Sequence, residues 1–376
     1  MSPNLLMRLY LCLCACLAAL LGAPTAAMAQ AAASAPAAAA SAVVNQPQRR
    51  WMAVPRVSGR LTARDLGLVI NTADPYSVAV GEYYIDKRGI PPEQVLRLEL
   101  PVKPVLSATE FELLAAQVRE HMGPQVQALA MAWNQPWAVE CNSITSALTL
   151  GFQPDACKQT CSPNRPSGYF NGASSRPYTE LGLRPSMLLA TRSVESAKAL
   201  IDRGVASDGQ LGRRGGPPAK AVFISTQDRA RNVRSVLFPP EGLISARGIE
   251  VDLRQASETT QLRRVILMQT GVSRVDVLDN LQWLPGALAD HLTSYGGQLL
   301  GSHGQMSVLD WLESGATASF GTVSEPCNHL QKFPHPQVLL LHYLQGETAL
   351  EAYWKSVAWP AQGVFVGEPL AAPFAR

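Results

Sequence analysis

Apolar, strand-like runs alternate with capped helices along most of this chain, and that alternation restricts the fold more than any other feature. The clearest unit is the first, in which the buried run at residues 66–71 leads into Asp74 and Pro75, a pair typical of a helix start. This helix is expected to stop at Gly89, since Pro91 follows closely. Strand, helix and strand in succession favour parallel strands with helices packed against them.

The same alternation continues toward the C-terminal part of the chain. Charged residues make up only 16% of the sequence, which fits strands that are buried on both faces. We therefore expect an α/β fold with a mostly parallel sheet covered by helices on both faces, in a doubly wound, three-layer arrangement. Further strands are predicted at residues 126–133, 186–191, 219–226, 263–270, 298–302, 316–323 and 363–367.

Three segments of different character divide the chain. Residues 1–29 are typical of a cleaved signal peptide, because an apolar core follows Arg8 and ends at the small-residue site Ala27-Met28-Ala29. Residues 30–59 are rich in Ala, Ser and Pro and predict a disordered linker. Residues 60–376 are expected to form one α/β domain with a polar loop excursion at about 152–180. Export to the periplasm or outside the cell follows, with no transmembrane segment in the mature chain.

Charge and motif content exclude several classes of function. Without Arg8 the mature chain has 31 basic and 29 acidic residues, so no nucleic-acid partner is expected. The sequence has no P-loop, no Rossmann glycine fingerprint, no zincin helix and no nucleophile elbow. We expect no cofactor, and the oligomeric state stays open.

Four cysteines remain after the signal peptide is removed, and in an exported protein they predict two disulfides. Cys157 and Cys161 lie close together in the excursion, where a bond between them would pin the loop. Cys141 and Cys327 both follow predicted strands, which favours a second bond between them.

The stretch 286–329 holds the densest set of reactive side chains. In an open parallel sheet, ligands bind beyond the carboxyl ends of the strands. One hypothesis is a dyad there, with His303 as base, Cys327 as nucleophile, and Glu325 or Asp290 orienting the imidazole. The alternative is that Cys327 is disulfide-bonded or inert. The Cys-x-His spacing at Cys327 and His329 is poor for metal ligation, so no metal site is expected.

A second cluster consists of Asp290, His291 and Ser294. If the run before Asp290 is a helix, Asp290 and Ser294 share a face at i, i+4, and Ser294 could be a nucleophile. The alternative, which we favour, is a turn at residues 294–297 with Gly296 or Gly297 at positive φ.

Polar residues also follow the first two predicted strands. Asn71, Asp74 and Ser77 follow the first strand, and Asn134 follows the second. They are candidate ligand-binding residues, because a helix N-terminus at this edge favours anions. Asp74 is equally explained as a helix cap.

Two further sets of residues each allow two interpretations. Arg229, Arg231 and Arg234 form either an anion site or a solvated helix face. The aromatic side chains near the C-terminus either pack helices against the sheet or form a platform for polysaccharide; they are Tyr343, Tyr353, Trp354 and Trp359.

Several longer motifs resemble an exported bacterial family of unknown function that is associated with exosortase-bearing genomes. The resemblance covers the chain from about Leu66 onward. The motifs are Asn71-x-x-Asp74-Pro75-x-Ser77, Arg88-Gly-Ile-Pro91, Asp290-His-Leu-Thr-Ser294, Gly315-Ala-Thr-Ala-Ser-Phe-Gly-Thr-Val-x-Glu325-Pro326, Glu351-Ala-Tyr-Trp-Lys-Ser-Val and Gly367-Glu-Pro. This resemblance implies a role in envelope protein sorting and supplies no activity.

A more distant resemblance is to the gingipain and caspase-like cysteine peptidases. It rests on Trp311-Leu-Glu-Ser-Gly315-Ala316, a Gly-Ala strand after a Trp-containing helix, and on Gly367-Glu368-Pro369. It implies a caspase-like or gingipain-like sheet. In the gingipain alignment, the nucleophile position falls near Ser294, and Cys327 is a bystander.

The sequence therefore predicts a peptidase-like hydrolase or pseudo-hydrolase of the cell envelope that acts on a peptide or protein. Whether it is an active enzyme stays open. The alternative is a non-catalytic protein that binds envelope peptide or polysaccharide.

Overall fold

The computed structural model describes residues 49–213, 215–258, 261–276, 278–301 and 303–376. The expected signal peptide and residues 30–48 of the expected linker lie outside the described residues. Residues 49–59 were also expected in the linker, but they lie along the domain. The Arg49 guanidinium donates to the Ser235 carbonyl at 2.7 Å, and the Met52 amide donates to Gln337 Oε1 at 2.6 Å. These contacts with distant residues fix a stretch whose composition alone indicates disorder.

Strands occur along the described chain from residue 66 to residue 367. In chain order they are β1 Leu66–Asn71, β2 Val95–Leu98, β3 Val105–Leu106, β4 Ala128–Met131, β5 Ala138–Val139, β6 Asn142–Ser143, β7 Ser186–Leu188, β8 Ala219–Ser225, β9 Gly242–Ile244, β10 Ile249–Gln255, β11 Leu262–Thr270, β12 Leu281–His291, β13 Ala318–Thr322 and β14 Gly363–Gly367.

Helices separate most of these strands. They are α1 Pro75–Arg88, α2 Ala108–His121, α3 Ile144–Leu150, α4 Asp155–Lys158, α5 Pro177–Leu181, α6 Val194–Ser207, α7 Val308–Glu313, α8 Pro336–Leu344 and α9 Ala349–Ser356.

Sequence-encoded caps define several of these helices. Asp74 accepts a hydrogen bond from the Tyr76 amide at the start of α1, and Gly89 ends that helix in the left-handed conformation. Ser107 and Glu110 form a capping box at α2, and Thr348 and Glu351 form one at α9.

One large sheet forms the centre of the described structure, in the order β2-β1-β4-β7-β14-β13-β12-β11-β8-β10-β9. On one side of β14, β2, β1, β4 and β7 are parallel to their neighbours. On the other side, β13, β12, β11, β8 and β10 are parallel to theirs, and β9 is an antiparallel edge strand. A small sheet of β3, β5 and β6 lies apart.

Strand β14 joins the two parallel sets. It pairs antiparallel with β13 over five residue pairs, whereas its contact with β7 is a single parallel-type bridge, Val366 with Leu188. That bridge is too short to define the relative direction of the two sets, but the loops define it. The Ser324 hydroxyl, just after β13, donates to the carbonyl of Cys141, in the segment that follows β4, at 2.7 Å. The carboxyl ends of both sets therefore lie at the same end of the sheet.

Apolar side chains cover both faces of the sheet. Along β1, Leu68 and Ile70 join the core beneath α1, α6, α8 and α9, whereas Val69 joins the core beneath α2, α3 and α7. This alternation is what a strand buried on two sides requires. The prediction of an α/β fold with a mostly parallel, doubly covered sheet is confirmed.

The strand predicted at residues 298–302 was wrong, since residues 298–301 contain a turn and no strand. The run before Asp290 is strand β12, so the condition for placing Asp290 and Ser294 on one helix face is not met. Pro285 and Gly286 interrupt the apolar pattern of β12; Gly286 has φ +86, and a Cβ there would lie 2.9 Å from Ser207. Strands β9 and β10, which the sequence analysis did not predict, extend the sheet beyond β8.

The prediction of two disulfides is confirmed, but the expected pairing was wrong. Cys141 is bonded to Cys157, and Cys161 is bonded to Cys327. Cys141 lies in the turn between β5 and β6, facing the excursion, and the excursion folds back over this end of the sheet. Cys157 and Cys161, both in the excursion, therefore bond to Cys141 and Cys327 respectively and not to each other. Within the described chain, no helix is both long and apolar enough to cross a membrane.

Candidate functional site

The loops that follow β8, β12 and β13 meet at one end of the sheet and enclose a cavity of about 270 Å³. This is the end at which the carboxyl termini of the parallel strands lie, where ligands bind in open α/β sheets. The cavity is lined by Ala230, Arg231, Leu292, Thr293, Ser294, Glu325, Pro326, Cys327, Asn328 and Phe333.

A larger groove of about 1030 Å³ lies between α2, α3 and residues 178–184. Two of its arginines are occupied within the fold, since Arg165 donates to the Leu150 carbonyl and Arg184 donates to the carbonyls of Met122 and Val126. None of the candidate residues lines it. The smaller cavity is therefore the better candidate site, because it collects the reactive side chains.

The backbone of Arg231 packs directly against the backbone of Gly271. A Cβ on Gly271, directly after β11, would lie 2.0 Å from the Arg231 carbonyl oxygen. The Arg231 side chain is then held from two sides, by Asp228 at 2.8 Å and by the Thr293 hydroxyl at 3.1 Å. Burial of Asp228 acts to raise its pKa, but the hydrogen bonds and charge of Arg231 lower it below the usual range. Asp228 therefore stays ionised opposite the guanidinium.

Replacing Gly271 by alanine is expected to lower the free energy of unfolding by about 1–3 kcal/mol, because the new methyl group meets backbone that cannot rotate away. Urea denaturation measures this effect. Gly216→Ala is the matched control, since a Cβ there meets no atom within 4 Å, and it is expected to change little. Equal, small effects for both variants would contradict the close approach.

Ser294 lines the cavity, but no base is paired with it. Its carbonyl and that of Thr293 accept hydrogen bonds from the Thr322 hydroxyl at 2.9 and 3.0 Å. Among the described residues, none forms a hydrogen bond with the Ser294 hydroxyl. The expected turn follows at residues 294–297, but neither of its glycines has positive φ. Gly297 is required instead by packing, since a Cβ there would lie 2.8 Å from the Gly321 carbonyl oxygen.

Asp290 lies behind the cavity, in the core. Its carboxylate forms an ion pair with Arg234 and accepts a hydrogen bond from the Gln269 amide at 2.8 Å; the Asp290 side chain is 1% exposed and that of Arg234 is 2% exposed. Burial raises the pKa of Asp290, although Arg234 and Gln269 act in the opposite direction. Asp290 therefore does not orient a catalytic imidazole. Arg234 neither lies on a solvated helix face nor binds an external anion.

His291 points to the opposite face of β12. The Trp311 indole N–H donates to His291 Nδ1 at 3.0 Å. Because an indole nitrogen can only donate, Nδ1 must be the unprotonated nitrogen and Nε2 must carry the proton. Burial lowers the pKa of His291 to about 4, so the ring is neutral at pH 7. Nδ1 is occupied by Trp311, and the protonated Nε2 is buried with no hydrogen-bond partner among the described residues, so His291 is not paired with Ser294 as a general base.

The proposed dyad of His303 and Cys327 is not formed. Cys327 is bonded to Cys161 and has no thiol. His303 is exposed in the loop between β12 and α7, with φ +50. Its ring packs against that of Tyr295, with 4.9 Å between the two ring centroids. Glu325 lies in the cavity wall, where its Oε1 accepts a hydrogen bond from the Cys327 amide at 2.8 Å and so shapes the loop.

The four ligand-binding candidates after β1 and β4 do not line this cavity. The Asn71 side chain exchanges two hydrogen bonds with the backbone of Leu100, and the Ser77 hydroxyl accepts from the Asn71 amide at 2.8 Å. Asp74 caps α1, and Asn134 donates to the Thr191 carbonyl at 3.2 Å. Their structural partners are clear, and a ligand role for them stays a prediction.

The structure therefore brings Ser294, Glu325 and Cys327 together but leaves His291, His303 and Asp290 elsewhere. Thr293 and Phe333 were not foreseen as wall residues, and Arg231 was foreseen only as one of three arginines. The one signal for Arg231 was its position in the loop that follows the strand predicted at residues 219–226. No group of three or more His, Cys, Asp or Glu within the described ranges could hold a metal ion.

No family profile and no curated protein sequence matches this chain. Among solved structures, the complex of the pro- and mature domains of RgpB from Porphyromonas gingivalis matches with a TM-score of 0.39 and 10% identity, over 84% of this chain and 80% of that one. The Arg-specific cysteine proteinase gingipain R matches with a TM-score of 0.38 and 11% identity, over 85% and 80%. Likeness at this level carries no conclusion about activity.

Proposed function

We propose that this chain is a pseudo-hydrolase of the cell envelope, a non-catalytic protein that binds a short peptide segment in the cavity at the carboxyl end of its sheet. The observation that carries the proposal is the state of the two nucleophile candidates. Cys327 is tied into a disulfide and Ser294 has no paired base, yet the cavity around them is kept.

The lining of the cavity supports a peptide rather than a metal or phosphate ligand. Arg231 and Asn328 can donate hydrogen bonds, Glu325 and the Ser294 hydroxyl can accept them, and Phe333 adds an apolar wall. Such a mixture matches backbone amide groups with a small apolar side chain. At about 270 Å³ the cavity is slightly smaller than a typical small-molecule pocket of about 300–1,000 Å³, so it suits one or two residues of an extended partner.

Two observations support an envelope location for this protein. Two disulfides fit an oxidising compartment, which agrees with export by the signal peptide expected at residues 1–29. The motif resemblance to the exosortase-associated family makes exported, sorted proteins the place to look for the peptide.

The aromatic side chains near the C-terminus do not support the alternative function, polysaccharide binding. It needed an exposed aromatic platform, but Tyr343, Tyr353 and Trp354 are each at most 1% exposed and pack α8 and α9 against the sheet. Trp359 alone is partly exposed among these four aromatics.

The proposal predicts binding without hydrolysis. A fluorescently labelled pool of short random peptides should bind the mature protein, as measured by fluorescence anisotropy, and remain uncut by mass spectrometry. Arg231→Met should weaken binding about tenfold or more, because a charge-assisted hydrogen bond is worth about 1.5–3 kcal/mol.

Arg229→Met is the matched control, because Arg229 is exposed, two residues away, and outside the cavity lining. It should leave peptide binding unchanged. Peptide cleavage that disappears in Ser294→Ala would overturn the proposal and establish a hydrolase instead.

A further inference from the structure

The two disulfides of this domain differ in how well their sulfur atoms are sheltered. Cys141 and Cys157 are both half-buried, and their sulfurs accept hydrogen bonds. The Cys141 amide donates to Cys157 Sγ at 3.3 Å, and the Asn142 side chain donates to Cys141 Sγ at 3.4 Å. Asn142 is itself fully buried. This bond joins the excursion to the turn between β5 and β6, and hydrogen bonds from the fold surround it.

The bond between Cys161 and Cys327 has a different environment. Cys161 is exposed, and Cys327 lines the cavity. No described residue donates a hydrogen bond to either sulfur. Cys327 also has φ +55, in the left-handed region that residues other than glycine rarely adopt. An attacking thiol can therefore reach one sulfur of this bond, while the other is held in a strained turn.

We propose that the Cys161–Cys327 disulfide is a thiol–disulfide exchange site for a dithiol oxidoreductase of the compartment in which this protein resides. A thiolate of the oxidoreductase attacks Cys161 Sγ, the sulfur–sulfur bond breaks, and Cys327 leaves as a thiolate that takes a proton from water. The second thiol of the partner then attacks the mixed disulfide and frees Cys161. The dithiol is oxidised by two electrons, and the protein disulfide is reduced by two.

The surroundings favour this direction of attack. Cys327, the leaving sulfur, lines the cavity, where the Arg231 guanidinium is paired with Asp228. Cys161 is the outward sulfur, so the mixed disulfide forms where a protein partner has room. The product is a Cys327 thiol in the cavity wall, beside Ser294 and Glu325.

Opening the bond leaves the excursion attached. Cys141–Cys157 still links it to the turn between β5 and β6, and Lys332 donates to the carbonyl of Thr160, next to Cys161. The Cys327 loop keeps the hydrogen bond from its amide to Glu325. Reduction therefore alters the wall of the cavity without unfolding the domain around it.

Stepwise reduction tests the proposal on the native protein. The protein is incubated with increasing dithiothreitol, trapped with N-ethylmaleimide, and its cysteine peptides are quantified by mass spectrometry. Cys161 and Cys327 should become labelled about tenfold faster than Cys141 and Cys157, as expected for an exposed, unsheltered bond. Simultaneous opening of both bonds, or earlier opening of Cys141–Cys157, would overturn the proposal.

A protein-sized dithiol tests the partner class. Thioredoxin, recycled by its reductase, should open the same bond, and thioredoxin that lacks its resolving cysteine should be trapped on Cys161. Trapping on Cys327, or opening by dithiothreitol alone, would contradict a protein partner. Cys141→Ala with Cys157→Ala is the control variant, and it should keep fast labelling of Cys161 and Cys327. None of these readouts depends on peptide binding, so the proposed function can fail independently.

Discussion

Replacing Arg234 by methionine is expected to lower the free energy of unfolding by about 3–5 kcal/mol, because it leaves the Asp290 carboxylate buried without its cation. The pair lies deep behind the cavity, where the Gln269 amide also donates to the Asp290 carboxylate. Urea denaturation at neutral pH, followed by tryptophan fluorescence, measures the loss.

A second substitution separates the loss of the pair from the cost of an orphaned charge. Arg234→Met combined with Asp290→Asn should recover most of the stability, since no buried charge remains. Arg97→Met is the control, because Arg97 pairs with Glu82 on the surface at 48% and 51% exposure and should change the free energy by less than about 1 kcal/mol. A double variant no more stable than Arg234→Met would show that the charge was not the cause.

Glu351→Gln is expected to remove a pH dependence of stability worth about 3 kcal/mol. Burial, and the charge of Glu347, raise the pKa of Glu351 to about 7, against the opposing charge of Lys355. One Glu351 oxygen accepts from the Thr348 backbone and hydroxyl and from the Leu61 amide. The other oxygen is buried and has no partner among the described residues.

The folded pKa of Glu351 lies above the unfolded value of 4.5, so folding binds the proton more tightly. This group's contribution to stability is fully present below pH 4.5 and is lost as the pH rises through about 7. His291 acts oppositely, because its lowered pKa costs stability as the pH falls from 6.5 toward about 4. That effect is common to native protein and Glu351→Gln, and it cancels in their difference.

The measurement is urea denaturation of both proteins at several values between pH 4.5 and 8. The free energy of unfolding of the native protein, minus that of Glu351→Gln, should fall by about 3 kcal/mol across this range. Glu110→Gln is the matched control: Glu110 has the same place in the capping box of α2 but is solvated, with its pKa lowered to about 2 by Lys103 and Ser107. It should show no such fall, and a flat difference for Glu351→Gln would contradict the raised pKa.

Local chemistry made much of the fold predictable. The Asp74 cap with Pro75, the stop at Gly89 and the capping boxes of α2 and α9 depend on residues within a few positions of one another. Strand β12 was missed because Pro285 and Gly286 break its apolar pattern. The disulfide pairing could not be derived either, since four cysteines allow three pairings.

The site was harder to predict because side chains that are adjacent in sequence along a strand point to opposite faces of the sheet. Asp290 and His291 are adjacent, yet a strand directs them to opposite faces, one toward Arg234 and the other toward Trp311. A dense run of reactive residues between Gly286 and His329 therefore separates into two structural clusters and one cavity. The composition of that run carries no information about this separation.

The position of β14 has a consequence for how the chain reaches its native state. Its five residues, near the end of the described chain, lie between β7 and β13 in the middle of the sheet. The two parallel sets can each begin to assemble, but they cannot be joined until residues 363–367 have been synthesised and inserted. Contacts of such long sequence separation slow folding. Until then the edges of β7 and β13 that face β14 stay unpaired, so the sheet is completed only late in folding.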